Sequence, residues 1–323
     1  MPIITPRGGG NEKFNERLVN AGIKVISSED AKSQDIRPAR IGLLNLMPAP
    51  AMEVTEIQWL KWIGRQALLQ IEPVLIKFDN DKRERPGSSR QKVLKRYTPF
   101  SEVTIKGLDG LIITGDNLEI QQHIGFASRA PLPFEDIRYY EQLCEVIDWA
   151  DENVWSTAYS CLGAHFGLNY KYGLPREVAK EKIFGVYEHE KTKIFSEFTN
   201  GMNDTIKAPH SRWGNIAIDA VNNNRELRIL ALNSSIGWLA IESDNNANGK
   251  DLFLQGHPEY DKFDLHTEYQ RDKKDGRAIP ENYYKNNVPR KTNVNLSWRT
   301  DARVLHENWI GQVYAKYSNP ECS

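Results

Sequence analysis

The chain has 323 residues, 40% of them hydrophobic, and a formal net charge of −1. That length supports a large buried core, and the balanced charge excludes a global pull toward nucleic acid or anionic lipid. No apolar run approaches the roughly 18 residues a bilayer crossing needs, and the Met1-Pro-Ile-Ile-Thr-Pro-Arg-Gly-Gly-Gly10 start lacks an apolar signal segment, so the expectation is a cytoplasmic enzyme that engages neither membrane nor nucleic acid.

Residues 1–36 read as an N-terminal arm packing on the core, with a single α/β domain expected over 37–315 and a tail at 316–323. Gly8-Gly9-Gly10 falls in that arm rather than between a strand and a helix, so it is no phosphate cradle. Arg40-Ile-Gly-Leu-Leu-Asn-Leu46 is short and apolar enough for a buried strand, and Met47-Pro48 punctuates a turn. Val54, Ile57, Leu60, Ile63 and Ala67 then recur at helical spacing. Pro73–Phe78 is a second strand. The stretch Asp81–Arg96 mixes charges with Pro86-Gly87 and reads as an exposed loop, with helix resuming toward Tyr97. Gly110-Leu-Ile-Ile-Thr114 is a third strand, Ile137–Ala150 an amphipathic helix, and Val154–Ser160 a fourth strand. Strands alternating with helices imply a parallel sheet covered on both faces. Ligands gather beyond the carboxyl ends of such strands, and Gly115, Cys161 and His257 all lie just past apolar runs of this kind.

The chemistry concentrates at two of these ends. Trp155-Ser-Thr-Ala-Tyr-Ser-Cys161-Leu-Gly-Ala-His-Phe-Gly167 reads as a strand that breaks at a lone cysteine and continues as a Gly/Ala-rich helix. A thiol at a helix N-terminus is favoured as thiolate by the peptide dipoles. Gly256-His257-Pro-Glu259-Tyr-Asp261 follows Leu252-Phe253-Leu254, and strand periodicity projects His257 and Glu259 to one side as a base and its orienter. Cys144 sits among Leu143, Val146 and Ile147 on a helical pattern and reads as core, while Cys322 falls in the tail. Three scattered cysteines argue against both a disulfide framework and a zinc site. His123, His165, His189, His266 and His306 show no ligand spacing, and His210 reads as a structural hydrogen-bonder.

Gln34-Asp-Ile-Arg-Pro38, Leu44-Asn-Leu-Met-Pro48, Gly110-Leu-Ile-Ile-Thr-Gly115, Phe184-Gly-Val-Tyr187, Ala208-Pro-His-Ser-Arg212, Gly256–Asp261, Glu268-Tyr-Gln-Arg-Asp272, Asn282-Tyr283 and Ser297-Trp-Arg299 together resemble the homoserine O-acyltransferase family, which opens bacterial methionine synthesis. The match runs in order from Met1 to about Trp309. The resemblance implies a three-layer, mostly parallel flavodoxin-like sheet of the class I glutamine amidotransferase type, with helices on both faces. It further implies that Cys161 takes the acyl group from an acyl-CoA, that His257 moves the protons, and that Glu259 holds His257 in the right tautomer. By the same match Lys182 lies near the acyl group, Ser211 lines the pocket and Arg271 grips the amino acid's carboxylate with its planar fork. The oxyanion is expected to meet the N–H of Leu162 and one from the Gly115 turn. No permanently bound cofactor is expected, acyl-CoA being a co-substrate, and the partners are small molecules, with the chain as a homodimer.

The departures from the family pattern define further expectations. Where the family usually shows Thr-Gly-Ala-Pro, this chain has Thr114-Gly-Asp-Asn117, followed by extra residues over about Gln121–Pro131. Glu119 occupies the position associated with donor choice, where a carboxylate repels a succinyl carboxylate and favours acetyl-CoA. Ala49 stands where a lysine often follows Asn-Leu-Met-Pro, and Leu162 where a tryptophan often follows the nucleophile, so serine or another hydroxy amino acid competes with homoserine as acceptor. The bases of Lys82–Arg96 can meet coenzyme A phosphates, but Asp79, Asp81 and Glu84 among them favour a solvated loop. Two other readings stand beside the acyltransferase: a glutaminase subunit, which would release ammonia from glutamine, and a non-catalytic relative, which would form no acyl-enzyme.

Overall fold

A computed structural model describes residues 2–5, 12–33, 37–64, 70–81, 89–118, 131–244, 249–275 and 278–315. In chain order the strands are β1 (Ile3–Thr5), β2 (Val25–Ser27), β3 (Ala39–Leu44), β4 (Ile71–Lys77), β5 (Thr98–Pro99), β6 (Gly110–Ile113), β7 (Ser156–Ser160), β8 (Glu177–Lys191), β9 (Thr205–Asn215), β10 (Leu227–Asn233), β11 (Gly237–Ser243) and β12 (Asp251–Leu254). The helices are α1 (Glu12–Asn20), α2 (Ser28–Lys32), α3 (Ala49–Ile63), α4 (Ser89–Leu94), α5 (Phe100–Lys106), α6 (Tyr140–Asn153), α7 (Leu162–Tyr172), α8 (Ile218–Asn222), α9 (Asp264–Asp272) and α10 (Arg299–Ala315).

The strands form one sheet in the order β2-β1-β4-β3-β6-β7-β12-β11-β10-β8-β9, with β5 beside β4. From β2 through β12 the pairs are parallel, and from β12 through β9 they are antiparallel. The parallel strands are near-continuous apolar runs because helices cover both faces: β6 (Gly-Leu-Ile-Ile) and β12 (Asp-Leu-Phe-Leu) are buried at every position. One helical layer packs Val103, Leu143, Val146, Ile147 and Phe166 of α5, α6 and α7 against the sheet. On the other face lie Leu18, Met52, Trp59, Leu60, Leu305 and Trp309 of α1, α3 and α10. The first 36 residues supply two of the strands, β1 hydrogen-bonding both β2 and β4.

Differences from the sequence reading have local causes. The segment expected as an exposed loop contains α4, and Arg90 within it is 2% exposed, because its guanidinium donates to the Met47 carbonyl at 2.6 Å and faces Asp81 at 3.5 Å. Lys82–Ser88, the first half of the basic cluster, lie outside the described residues, as do Ala67, His123 and Cys322. Cys144 belongs to the core of the α6 layer. The antiparallel half, β8 to β11, carries no signal in the sequence reading. Among the described residues no helix is long and apolar enough to cross a membrane.

Candidate active site

Strand register places the first two parts of the site. β12 pairs with β7 up to Leu254 against Ser160, so the chain leaves both strands side by side, at Cys161 on one and Gln255-Gly256-His257 on the other. β6 pairs with β7 up to Ile113 against Tyr159, which brings Thr114-Gly115 alongside Cys161. The exits are tied by the Cys161 N–H to the Leu254 carbonyl at 2.7 Å and the His257 N–H to the Pro209 carbonyl, also 2.7 Å.

Cys161 occupies the sharp turn into α7 with φ 52° and ψ −115°, a strained backbone for any residue with a Cβ. The strain is maintained by what surrounds it. A Cβ on Gly163 would lie 2.7 Å from the Thr114 carbonyl oxygen and 2.9 Å from that of Ile113, so only glycine lets the first turn of α7 press onto the end of β6. At its other end α7 is fixed by Lys171, which donates to Asp151 at 2.6 Å and to Asp251 of β12 at 2.7 Å, and by Gly173 in the left-handed C-cap. The result is a thiol, 4% exposed, at the N-terminus of an 11-residue helix.

His257 Nδ1 lies 2.8 Å from Glu259 Oε1, and its side chain is in hydrogen-bonding contact with Cys161. Burial disfavours charge on His257, yet the Glu259 carboxylate and the Cys161 sulfur overcome it and hold the imidazole well above its ordinary pKa. The sequence reading placed His257 and Glu259 on one side of a strand; β12 ends at Leu254, and a turn through Pro258 brings them together instead. That turn is pinned by two indoles, Trp62 donating to the Glu259 carbonyl and Trp298 to the Tyr260 carbonyl, each at 3.1 Å. Both come from a small aromatic core beneath the turn that also contains Phe184, Tyr283 and Leu265.

Leu162 and Gly115 border the nucleophile. A Cβ on Gly115 would lie 3.0 Å from Cys161 Cβ and 3.5 Å from the Leu162 nitrogen. The Leu162 N–H begins α7, where no intrahelical acceptor exists for it.

Lys182, Ser211 and Arg271 are brought to one side of the triad by β8, β9 and α9. Lys182 falls in the irregular stretch of the β8–β9 pairing between Val178 and Ile183, and Phe184 pairs with Ser211. Lys182 lies 3.5 Å from Glu268 and 3.6 Å from Asp272, over the Phe184 ring. Ser211 donates to Glu268. Arg271 does not point into a vacant pocket: its fork grips Asp272 at 2.5 and 3.0 Å, and its side chain is 67% exposed. Glu119 lies outside the described residues.

Three residues given no role by the sequence reading complete the arrangement. The Tyr260 ring stacks on His257 at 4.4 Å, and its hydroxyl donates to Glu268 at 2.7 Å. Burial, reinforced by Glu268, raises the Tyr260 pKa well above its usual value, so it is a hydrogen-bond donor at all ordinary pH. Glu268 and Asp272 lie four residues apart on one face of α9, a spacing that would have marked them had the helix been expected. His210 is fully buried and accepts from Arg212 at 3.2 Å, and burial with the neighbouring Arg212 holds it neutral. His165, on the buried side of α7, faces Gln255 at 3.0 Å, with burial depressing its pKa to about 3. Among the described residues no group of His, Cys, Asp and Glu gathers as a metal site.

The fold and the cysteine elbow define an α/β protein of the class I glutamine amidotransferase architecture. A glutamine amidotransferase from Thermotoga maritima superposes with a TM-score of 0.50 over 86% of this chain and 99% of that one, at 11% identity, a likeness of fold alone. The sequence narrows the class: a family model for homoserine O-succinyltransferase matches residues 10–319. The chain is 36% identical over 312 residues to a homoserine O-acetyltransferase of Clostridium acetobutylicum, covering 96% of each. It is also 36% identical over 296 residues to a homoserine O-succinyltransferase of Proteus mirabilis, covering 91% of this chain and 89% of that one. The chain therefore belongs to the homoserine O-succinyltransferase family, as an acyltransferase in the broad sense that spans both donors.

Proposed function

We propose that this protein transfers an acyl group from acyl-CoA to the hydroxyl of homoserine, or of a similar hydroxy amino acid such as serine, through an acyl-enzyme on Cys161. The observation that carries the reading is the contact of a thiol, held in a strained elbow at a helix N-terminus, with a buried His257–Glu259 couple. The thiolate attacks the thioester carbonyl, the charge developing on oxygen is met by the Leu162 and Gly115 N–H groups, and the coenzyme's sulfur departs with the proton held by His257. His257, now neutral, takes the proton of the acceptor hydroxyl as that oxygen attacks the acyl-cysteine, and Cys161 leaves as thiolate beside the restored imidazolium. Glu259 stabilises that imidazolium in both halves.

Lys182 lies near the acyl group, Ser211 lines the same pocket, and Arg271 binds the acceptor by exchanging Asp272 for the substrate's carboxylate. Acetyl-CoA is the favoured donor, supported by the carboxylate of Glu119 at the donor-choice position. No resident cofactor is required by this sequence of steps. The protein works as a cytoplasmic homodimer, which light scattering tests. The test of the function is CoA release with acetyl-, propionyl- and succinyl-CoA, each with homoserine and with serine. Acetyl-CoA with homoserine is expected to give the highest kcat/KM; ammonia release from glutamine without acyl transfer would overturn the reading in favour of a glutaminase.

A further inference from the structure

The donor named above ends, beyond its pantetheine arm, in an adenosine carrying phosphates, and helix α9 sorts its charges in a way that separates a place for acyl chemistry from a place for those phosphates. By helical spacing Asp264, Glu268 and Asp272 share one face. Their carboxylates are engaged there: Asp264 by Gln58 at 2.7 Å, Glu268 by Tyr260, Ser211 and Lys182, and Asp272 by Arg271 and Lys182. Asp261, just before the helix, is held by Lys61. A polyanion is repelled from that side.

The opposite side gathers bases that have no carboxylate partner among the described residues. Lys262 and Lys291 both approach the Phe263 ring, at 5.2 and 4.7 Å from its centroid, and Phe263 is 36% exposed. Lys273 donates to Gln270, one turn back on the same face as His266. His266 Nδ1 lies 2.6 Å from the Tyr284 hydroxyl, while burial and then the charges of Lys291 and Lys273 hold the imidazole below its ordinary pKa. When Tyr284 donates to Nδ1, the neutral ring keeps its hydrogen on Nε2, a donor within the field of Lys291 and Lys273. The whole chain carries a charge of −1, so this concentration of bases without a carboxylate partner among the described residues is local.

We propose that Lys262, Phe263, His266, Lys273 and Lys291 form the site for the phosphates of the acyl donor, with the Phe263 ring as a surface on which its purine lies. The patch adjoins the catalytic turn: Lys262 is two residues from Tyr260, which stacks on His257, and its carbonyl accepts from Tyr283 in the same aromatic core. Ammonium groups and an N–H donor suit phosphate oxygens, and an exposed aromatic face suits a planar base. The inference rests on acyl-CoA being the donor.

The test compares two donors, acetyl-CoA and acetyl-pantetheine, which shares the thioester but has no phosphate. In the wild-type protein kcat/KM favours acetyl-CoA, and in the double variant Lys262→Gln/Lys291→Gln that preference falls by about tenfold or more, the loss of two charge-assisted contacts. Adenosine 3′,5′-bisphosphate competes with acetyl-CoA in the wild type and loses potency by the same factor in the variant. A merely structural defect lowers both donors in parallel and leaves the ratio unmoved, and an unmoved ratio overturns the assignment. A wild-type protein that uses both donors equally well refutes the patch while the acyl-CoA reading stands. One that accepts an acyl group from none of acetyl-, propionyl- and succinyl-CoA refutes that reading, and the patch with it.

Discussion

Replacing Glu259 by glutamine removes a charge while preserving a hydrogen-bond acceptor of the same shape. His257 and Glu259 are 8% and 4% exposed and 2.8 Å apart, so the lost interaction is a charge-assisted hydrogen bond with little solvent screening. Such bonds contribute about 1.5–3 kcal/mol, and at about 1.4 kcal/mol per decade acyl transfer at neutral pH should fall roughly 10- to 100-fold. The variant also loses a main support of the raised His257 pKa, so the alkaline limb on which the imidazolium deprotonates moves to lower pH. A histidine whose pKa is raised on folding adds stability that is complete below the ordinary imidazole value and disappears as pH rises through the folded value. Glu259→Gln should therefore flatten the stability profile between those two values, lowering stability most at the acid end of the window. The assays are single-turnover CoA release across pH and denaturant unfolding at an acidic and an alkaline pH. Rates within twofold of wild type, with an unshifted profile, would refute the assignment of Glu259 as the group that stabilises the imidazolium.

Gly163→Ala places a Cβ 2.7 Å from the Thr114 carbonyl oxygen, which is backbone and cannot swing away; denaturant melts should show a loss of about 1–3 kcal/mol, accompanied by reduced transfer, and wild-type stability would contradict the close approach of α7 to β6. At Cys161 the backbone strain, of order 1–3 kcal/mol, outweighs glycine's usual disadvantage of roughly 0.5–1 kcal/mol, so Cys161→Gly should melt no lower than Cys161→Ala. A clearly more stable alanine variant would remove strain from the account of the elbow. Arg271→Ala should raise the acceptor's KM at least about tenfold more than the donor's, because a contact of equal strength in ground and transition states is lost; parallel changes in the two KM values would reassign Arg271 to holding Asp272.

The parallel half of the sheet was legible because strands buried on both faces are unbroken apolar runs, as in Leu43-Leu44 and Leu111-Ile112-Ile113. The antiparallel half was not. β8 mixes exposed Glu177, Glu181 and Glu188 with buried Phe184 to Tyr187, and β9 contains Pro209, which demotes a run to an edge strand, the place β9 occupies in the sheet. The cysteine elbow was legible from the glycines that follow it, and its contact with His257 was reached through the parallel pairing of β7 with β12, which no local pattern encodes. Glu268, Asp272 and Tyr260 carry no local signal, because their roles depend on α9 meeting Lys182 of β8 and Ser211 of β9. Arg90, read as a solvated base, is buried by acceptors 43 and 9 residues away in sequence, Met47 and Asp81.

The central claim is that Cys161 carries the acyl group between donor and acceptor. Intact-protein and peptide mass spectrometry after mixing with acetyl-CoA alone tests it most directly: a single acetyl group is expected on Cys161, removed by hydroxylamine or by homoserine and absent from Cys161→Ala. An enzyme that turns over acetyl-CoA and homoserine yet never shows that adduct, and whose Cys161→Ala variant still transfers, would contradict it.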